Sequence, residues 1–280
     1  MMSARFLTVV LERAFNMRDG FGREIDYMRI SVIDSCNLNC YYCNPCDNNE
    51  HCHALNILSV KEVLCIVRAA TRLGIKHFRL TGGEPLLHPQ LDEMVLQIKK
   101  IPGVSSVSLT TNAVLLAQHA KWLKEAGIDS INVSLDTIDA SEYERITKKP
   151  LLEEVKHGIN AAIECGIRVK INVVLTPQTD VVALTRYVAK KGTDIRFIEM
   201  MPVGEGHTNG VEPYKKVIGT LSKLYGEPCR INTEKTKEIN SGNDKRKIPD
   251  NGPAEYYIFP ELGIRVGLIQ AIHGKFCDTC

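Results

Sequence analysis

Three cysteines, Cys36, Cys40 and Cys43, crowd one short segment with three and then two residues between them. Thiolates at this spacing can wrap one iron–sulfur cube from a single loop. Because a cubane cluster has four irons, three cysteines leave one iron open to bind a small molecule. A four-ligand zinc site or an electron-transfer cluster that uses Cys46 is the alternative. Further candidate ligands follow in the chain, namely His51, Cys52 and His53.

A second polar segment, Thr81-Gly82-Gly83-Glu84-Pro85, follows a short β-branched run. Paired glycines let a backbone approach a ligand closely, and the Glu84 carboxylate can hold an ammonium group. A tight turn in the fold would explain the same residues. The segment therefore indicates a ligand site, rather than a tight turn, only in combination with the cysteine loop that follows the preceding predicted strand.

Six β-branched runs alternate with stretches in which apolar residues recur at helical spacing. This alternation predicts a parallel sheet with right-handed crossovers, either open and doubly wound or a partial barrel. Polar motifs follow nearly every run at its carboxyl end, which is typical of a barrel active site. We therefore predict an α/β fold with a partial (β/α)6 TIM-type barrel. The predicted strands are Tyr27–Ile33, Ile75–Leu80, Val104–Leu109, Ile128–Val133, Ile167–Leu175 and Ile195–Ile198.

The strand–helix rhythm breaks after Met201, which predicts a C-terminal α+β appendage over the barrel mouth. Within it we expect one helix, a polar loop and a hairpin. The predicted domains are an N-terminal extension (1–21), the barrel (22–202) and the appendage (203–280). The appendage elements are Tyr214–Leu224, the loop 233–250, and the hairpin strands Ala254–Phe259 and Ile264–Ile269.

The composition narrows the classes of protein to consider. The chain has 280 residues, 44% of them hydrophobic and 24% charged, with a net charge of +2. These values indicate a globular protein without the overall excess of positive charge that is typical of nucleic-acid-binding proteins. No apolar run reaches the roughly 18 residues that span a bilayer, so we expect a cytoplasmic protein without a membrane partner. In that reducing compartment we expect Cys65, Cys165 and Cys229 to be inert core thiols.

The C-x3-C-x2-C loop with an aromatic residue before its last cysteine, here Tyr42, resembles that of the radical S-adenosylmethionine (SAM) superfamily, as does the Gly-Gly-Glu-Pro turn. The resemblance extends to one of its families, GTP 3′,8-cyclase of molybdenum cofactor biosynthesis, in collinear stretches from about residue 22 onward. These stretches are Met28–Val32, Arg79–Leu86, Leu109–Asn112, Ile131–Asp136, Lys170–Val174, Arg196–Glu199 and Phe276–Cys280.

The resemblance implies a radical SAM lyase in which Cys36, Cys40 and Cys43 hold a 4Fe-4S cluster. SAM would chelate the open iron through its amino and carboxylate groups. Reduction of the cluster would cleave SAM to methionine and a 5′-deoxyadenosyl radical. No protein side chain is implied as catalytic beyond the cluster and SAM. The implied SAM contacts are Tyr42, Gly83, Glu84, Ser134 and Met201.

The resemblance also implies that GTP is the substrate, held mostly by its triphosphate. Abstraction of the ribose C3′ hydrogen and attack of C3′ on guanine C8 would give (8S)-3′,8-cyclo-7,8-dihydroguanosine 5′-triphosphate. The residue types agree, because long cations in strands of a buried barrel are costly unless a polyanion or a salt bridge pairs them. The implied GTP contacts are Arg29, Arg79, Thr110 and Lys170, and the alternative salt-bridge partners are Glu84, Asp136 and Glu199.

Cys277 and Cys280 resemble the first two ligands of a second cluster, which binds the guanine base in this family. The family continues to a third cysteine, whereas this sequence ends at Cys280. We therefore expect a complete first site, an incomplete second site and a shortened gene product. Cys46 and Cys52 exceed the family pattern and are expected to be free thiols or off-pathway ligands.

The expected partners follow from the same resemblance. They are GTP, an electron donor such as flavodoxin or ferredoxin, and the downstream cyclic pyranopterin monophosphate synthase; a homodimer stays open. Two other functions compete with the leading hypothesis. One is a single-cluster radical SAM enzyme with another substrate, and the other is a non-enzymatic protein that binds zinc or an iron–sulfur cluster.

Overall fold

The computed structural model describes residues 17–20, 22–43, 56–201, 213–231 and 254–270. The chain divides into two compact units. The predicted division into extension, barrel and appendage stays a prediction, and most of the extension and the predicted loop 233–250 lie outside the described residues. Unit 1 comprises Met1–Asn37, Glu50–Ile131 and His157–Arg168, and unit 2 comprises Leu38–Asn49, Asn132–Lys156 and Val169–Cys280.

Strands and helices alternate through most of the described chain. In chain order they are β1 (Tyr27–Ser31), α1 (Val60–Arg72), β2 (His77–Thr81), a 3-10 turn (Pro85–Leu87), α2 (Leu91–Lys99), β3 (Ser106–Thr111), α3 (Leu116–Glu125), β4 (Ser130–Ser134), α4 (Ala140–Thr147), α5 (Leu152–Glu164), β5 (Arg168–Leu175), α6 (Val181–Lys190), β6 (Asp194–Glu199), α7 (Pro213–Tyr225), β7 (Cys229–Ile231), β8 (Glu255–Ile258) and β9 (Arg265–Ile269).

In unit 1, β1, β2 and β3 are parallel neighbours in that order. Helix α1 begins with a capping box, since Ser59 Oγ accepts from the backbone N–H of Glu62 and the Glu62 carboxylate accepts from Ser59 N at 2.8 Å. Such a box satisfies backbone donors that a helix start leaves unpaired. The buried positions of α1 recur at helical spacing, and the inner strand β2 buries Phe78 and Leu80 completely.

In unit 2, β5, β6 and β9 are parallel, and β9, β8 and β7 are antiparallel neighbours. Gly267 of β9 faces a crowded position, because a Cβ there would lie 2.7 Å from Arg196 Cγ and 2.9 Å from Tyr256 Cε1. A side chain at this position would displace the Arg196 stem. Gly267 therefore makes room for a long cation inside the unit.

The structure confirms the α/β class and all six predicted strands, the helix over 214–224 and the hairpin. Strand β7 was not predicted, because it is three residues long and two of them are exposed. The expectation of inert core thiols is wrong for Cys65 and Cys229, which are exposed, while Cys165 is half-buried. Cys65 lies on the solvent side of α1, where burial falls on other positions of the helix.

No helix within the five described ranges is long and apolar enough to cross a bilayer.

Candidate functional site

Two backbone segments of unit 1 pack directly against each other at the carboxyl ends of β1 and β2. Gly83 N donates to Ile33 O and Glu84 N donates to Ser35 O, each at 2.7 Å. A Cβ at Gly82, where φ is +155°, would lie 2.2 Å from Ile33 O, and one at Gly83 would lie 2.2 Å from Ser35 O. The paired glycines thus allow close approach to the protein's own chain, just before the cysteine loop.

The Glu84 carboxylate is buried, with 1% of the residue exposed. Its Oε1 accepts from Leu86 N at 3.0 Å and from Thr111 Oγ1 at 2.6 Å, and its Oε2 accepts from Asn112 N at 2.7 Å. Burial raises the pKa of the carboxyl, and these hydrogen bonds oppose the rise. Glu84 therefore joins the β2 turn to the end of β3, a role that the sequence analysis did not assign. Its predicted contact with SAM stays a prediction.

Asn112 lies between this turn and the first cysteine. Its Oδ1 accepts from Val114 N at 3.0 Å, and its Nδ2 donates to Asn37 Oδ1 at 2.7 Å and to Cys36 Sγ at 3.7 Å. The sequence analysis included Asn112 in the stretch Leu109–Asn112 but selected only Thr110 as a site residue, and Thr110 is half-buried. The position of Asn112 directly after a strand was the signal that could have singled it out.

The second half of the cysteine loop belongs to unit 2. Backbone N–H groups of Asn39 and Tyr41 donate to carbonyls at the end of α4, at 3.0 and 3.1 Å. Cys43 N donates to Cys40 O at 3.0 Å and closes a turn. Cys40 is half-exposed and Cys43 is exposed, so both thiols are accessible to a ligand.

Tyr42 and Asp136 form a buried pair in unit 2. The Tyr42 hydroxyl donates to Asp136 Oδ2, and Asp136 Oδ1 accepts from Val174 N at 2.7 Å. Burial raises the pKa of the Asp136 carboxyl to about 6 against the effect of these two hydrogen bonds. Burial, followed by the charge of Asp136, also raises the pKa of Tyr42. The pair holds the loop residue before Cys43 against the end of β4, where the predicted SAM contact Ser134 is exposed.

Two arginines stand side by side in unit 1. Arg29 and Arg79 are register partners in the parallel pair β1–β2, and their guanidinium carbons lie 5.9 and 5.3 Å from the centroid of the Tyr27 ring. Arg29 Nε donates to Tyr27 OH at 3.2 Å, and Arg79 Nε donates to Ser108 Oγ at 3.0 Å. Register partners project to the same side, where like charges repel. An anion bound between them would relieve that repulsion.

Unit 2 buries two further cations, of which only Lys170 was predicted as a site residue. Lys170 is 5% exposed, and its Nζ lies 5.9 Å from the centroid of the Tyr256 ring. Arg196 is 4% exposed and donates to two neutral amides, through Nε to Asn172 Oδ1 at 2.9 Å and through one terminal nitrogen to Asn132 Oδ1 at 2.8 Å. Asn132 Nδ2 is buried without a hydrogen-bond partner in the described part of the chain.

The alternative salt-bridge partners of the predicted cations are Glu84, Asp136 and Glu199. Among the described residues, the carboxylates of Glu84 and Asp136 accept from hydroxyl and backbone N–H donors rather than from an arginine or lysine. Met201 is 53% exposed at the end of the sixth strand–helix stretch. Four of the predicted or discussed cysteines lie outside the described residues, namely Cys46, Cys52, Cys277 and Cys280.

The three loop cysteines supply thiolates, the ligand type that binds the irons of an iron–sulfur cluster. Of the residues that the structure describes, no three His, Cys, Asp or Glu side chains are grouped so as to hold one metal ion. The loop offers accessible thiols at Cys36, Cys40 and Cys43, and the amide of Asn112 points at the first of them.

Comparison with known proteins defines the class. The profile of the radical SAM superfamily matches residues 30–184. Streptococcus suis SuiB bound to S-adenosylmethionine superposes with a TM-score of 0.58 at 17% identity, covering 71% of this chain and 47% of that one. Methylornithine synthase superposes with a TM-score of 0.58 at 17% identity, covering 81% of this chain and 71% of that one. These likenesses establish the partial-barrel fold of radical SAM enzymes.

Sequence relatives narrow the class to one family. A GTP 3′,8-cyclase of Clostridium perfringens is 36% identical over 267 residues, which cover 94% of this chain and 78% of that protein. Those of Pelotomaculum thermopropionicum and Listeria monocytogenes are also 36% identical, over 94% of this chain and 79% and 77% of their own. The chain therefore belongs to the GTP 3′,8-cyclase family of radical SAM enzymes, which carry a 4Fe-4S cluster and use SAM.

The packing at Gly83 predicts that Gly83→Ala destabilises the fold by about 2 kcal/mol or more and lowers cluster loading, because the new Cβ must displace the carbonyls of Asp34 and Ser35. Urea unfolding and iron analysis after anaerobic reconstitution measure both effects. Gly219→Ala is the matched control. It adds a methyl group to α7 where nothing lies within 4 Å and should stabilise the fold by about 0.5–1 kcal/mol. Equal stability of the two variants would contradict the packing argument.

The buried Asp136 predicts a pH-dependent stability of the iron-free protein. Its folded pKa of about 6 lies above the unfolded value of about 3.9, so the native state binds more protons between these values. Its contribution to the free energy of unfolding should fall by on the order of 2–3 kcal/mol as the pH rises through this window. In urea unfolding from pH 4 to pH 7, the free energy of unfolding of Asp136→Asn should rise relative to that of the parent as the pH rises. A pH-independent difference would refute the assignment.

Proposed function

We propose that this chain holds a 4Fe-4S cluster through Cys36, Cys40 and Cys43 and converts GTP to (8S)-3′,8-cyclo-7,8-dihydroguanosine 5′-triphosphate. The relatives named GTP 3′,8-cyclase support the reaction. The register pair Arg29 and Arg79 is the observation that supports the substrate class, because two guanidiniums on one face attract a polyanion.

The cluster and SAM, when bound, supply the electron and the hydrogen-abstracting radical of the reaction. The protein's own contribution is binding and orientation. The Tyr42 hydroxyl donates a hydrogen bond to Asp136 and so holds the loop in place. The proposed contact of Tyr42 with SAM therefore uses its ring or its backbone. Gly83, Glu84, Ser134 and Met201 stay the other proposed SAM contacts.

Three cations are proposed to bind the triphosphate, two of them in unit 1 and one in unit 2. In unit 1 these are Arg29 beside Tyr27 and Arg79 beside Ser108. In unit 2 it is Lys170, whose ammonium is buried and would interact more strongly with an anionic ligand than an exposed lysine would. Thr110 stays a proposed hydroxyl contact.

The remaining parts of the proposal concern groups beyond the described residues. Cys277 and Cys280 are proposed as ligands of a second cluster near the guanine base. A flavodoxin or ferredoxin is the proposed electron donor, and a cyclic pyranopterin monophosphate synthase would consume the product. Each of these rests on the family resemblance and on the residue types in the sequence.

Removal of one loop thiol tests the cluster. Cys40→Ala should abolish assembly and SAM cleavage, because an iron of the cube loses its ligand. The parent should bind about four irons per chain after anaerobic reconstitution and should release 5′-deoxyadenosine under reductant. Cys65→Ala is the matched control, since this thiol is exposed on α1 and should be dispensable. Stoichiometric zinc without SAM cleavage in the parent would instead support a zinc-binding protein.

Removal of one buried charge tests the substrate. Lys170→Met keeps an apolar stem of similar length and should raise the Kd for GTP about tenfold or more, because a charged hydrogen bond is lost. Uncoupled SAM cleavage should persist. Lys190→Ala, an exposed lysine at the end of α6, is the control and should leave the Kd unchanged. If the parent cleaves SAM but shows no measurable GTP binding, a radical SAM enzyme with another substrate becomes the better assignment.

A further inference from the structure

We propose that Asn112 is a positioning residue that donates an N–H···S hydrogen bond to Cys36 and thereby raises the reduction potential of the cluster. This inference rests on the proposed function, because it assumes that Cys36 binds an iron of a 4Fe-4S cluster. Asn112 was not among the site residues that the sequence analysis selected, and its contacts lie within unit 1.

The orientation of the Asn112 side chain follows from its own hydrogen bonds. The oxygen of an amide only accepts, and Oδ1 lies 3.0 Å from the donor Val114 N. Nδ2 must then face the loop, where it lies 2.7 Å from Asn37 Oδ1 and 3.7 Å from Cys36 Sγ. The two hydrogens on Nδ2 serve these two acceptors at once. A flipped amide would place two oxygens against each other and would face Val114 N with a donor.

The turn that carries Asn112 is strained and supported on both sides. Ala113 has a φ of +64°, a left-handed conformation that costs a residue with a Cβ free energy. Gly158 leaves room for it, because a Cβ there would lie 2.4 Å from Ala113 O. Buried Glu84 and Thr111 hold the turn through Asn112 N and Ala113 N, at 2.7 and 2.9 Å.

Strain of this kind persists only where the surrounding structure imposes it, and it clusters at functional sites. Here its consequence is geometric. The left-handed residue turns the chain directly after Asn112, and the buried Glu84 fixes the backbone N–H of Asn112 itself. The amide is therefore presented to Cys36 from a rigid support instead of a freely moving loop.

A donor at this position acts on the cluster through charge. The thiol of Cys36 can donate weakly to Asn37 Oδ1, at 4.0 Å, but a thiolate bound to iron can only accept. A reduced cluster carries one more negative charge than the oxidised cluster, so a hydrogen bond to a ligand sulfur stabilises the reduced form more. Loss of the Asn112 donor should therefore lower the reduction potential.

Two neutral variants separate this effect from a purely structural role. Asn112→Ser can still accept from Val114 N in a short polar turn, but its hydroxyl is too short to reach Cys36. Ala113→Gly keeps the Asn112 amide and accepts the positive φ without cost. The parent and both variants are reconstituted anaerobically, analysed for iron and sulfide, and titrated with titanium(III) citrate while the reduced cluster is followed by electron paramagnetic resonance.

We expect Asn112→Ser to load with iron like the parent and to show a more negative midpoint potential, with Ala113→Gly at the potential of the parent. Loss of loading in Asn112→Ser alone, with its circular dichroism unchanged, would also support the positioning role. Equal potentials in the loaded parent and loaded Asn112→Ser would overturn the inference and leave the proposed function intact. A parent that binds no iron would overturn both.

Discussion

The structure of unit 1 around the site depends on the contact between two backbones, residues 33–35 after β1 and Gly82–Gly83 after β2. Ladder hydrogen bonds of 2.7 Å continue past the ends of the strands, and a Cβ at either glycine would overlap a carbonyl. Cys36 follows this contact directly, so the path of the chain into the cysteine loop is set by main-chain atoms. Because main-chain atoms set this path, substitutions of the side chains at residues 33–35 should disturb it less than substitutions of Gly82 or Gly83.

A network of buried polar groups extends this constraint to the third strand. In the described part of the chain Glu84 has no cationic hydrogen-bond partner, and its charge is compensated by a hydroxyl and two backbone N–H groups. Removing one partner from such a network leaves a desolvated acceptor, which costs more than the bond contributes. The network thus transmits the position of the β2 turn to Asn112 and from there to Cys36.

The cations differ from Glu84 in how their charge is compensated. Arg29 and Arg196 donate to hydroxyl or amide oxygens in their contacts within the described residues, which satisfies N–H groups but does not neutralise charge. Arg29 and Arg79 even stand opposite each other in register. A fold that keeps charges in this state gains free energy when an anion arrives, and the gain is available for binding.

The amino-acid sequence by itself determined the strand–helix alternation, the six strands within a few residues and the family, because local periodicity and motif spacing carry that information. It also singled out the cysteine loop and Arg29, Arg79 and Lys170. Only the tertiary structure decided the contacts of Glu84 with Thr111 and Asn112, the pairing of Tyr42 with Asp136 and the place of Asn112 beside Cys36. Each of these contacts joins residues at least 27 positions apart, and no local pattern specifies which distant groups the packing brings together.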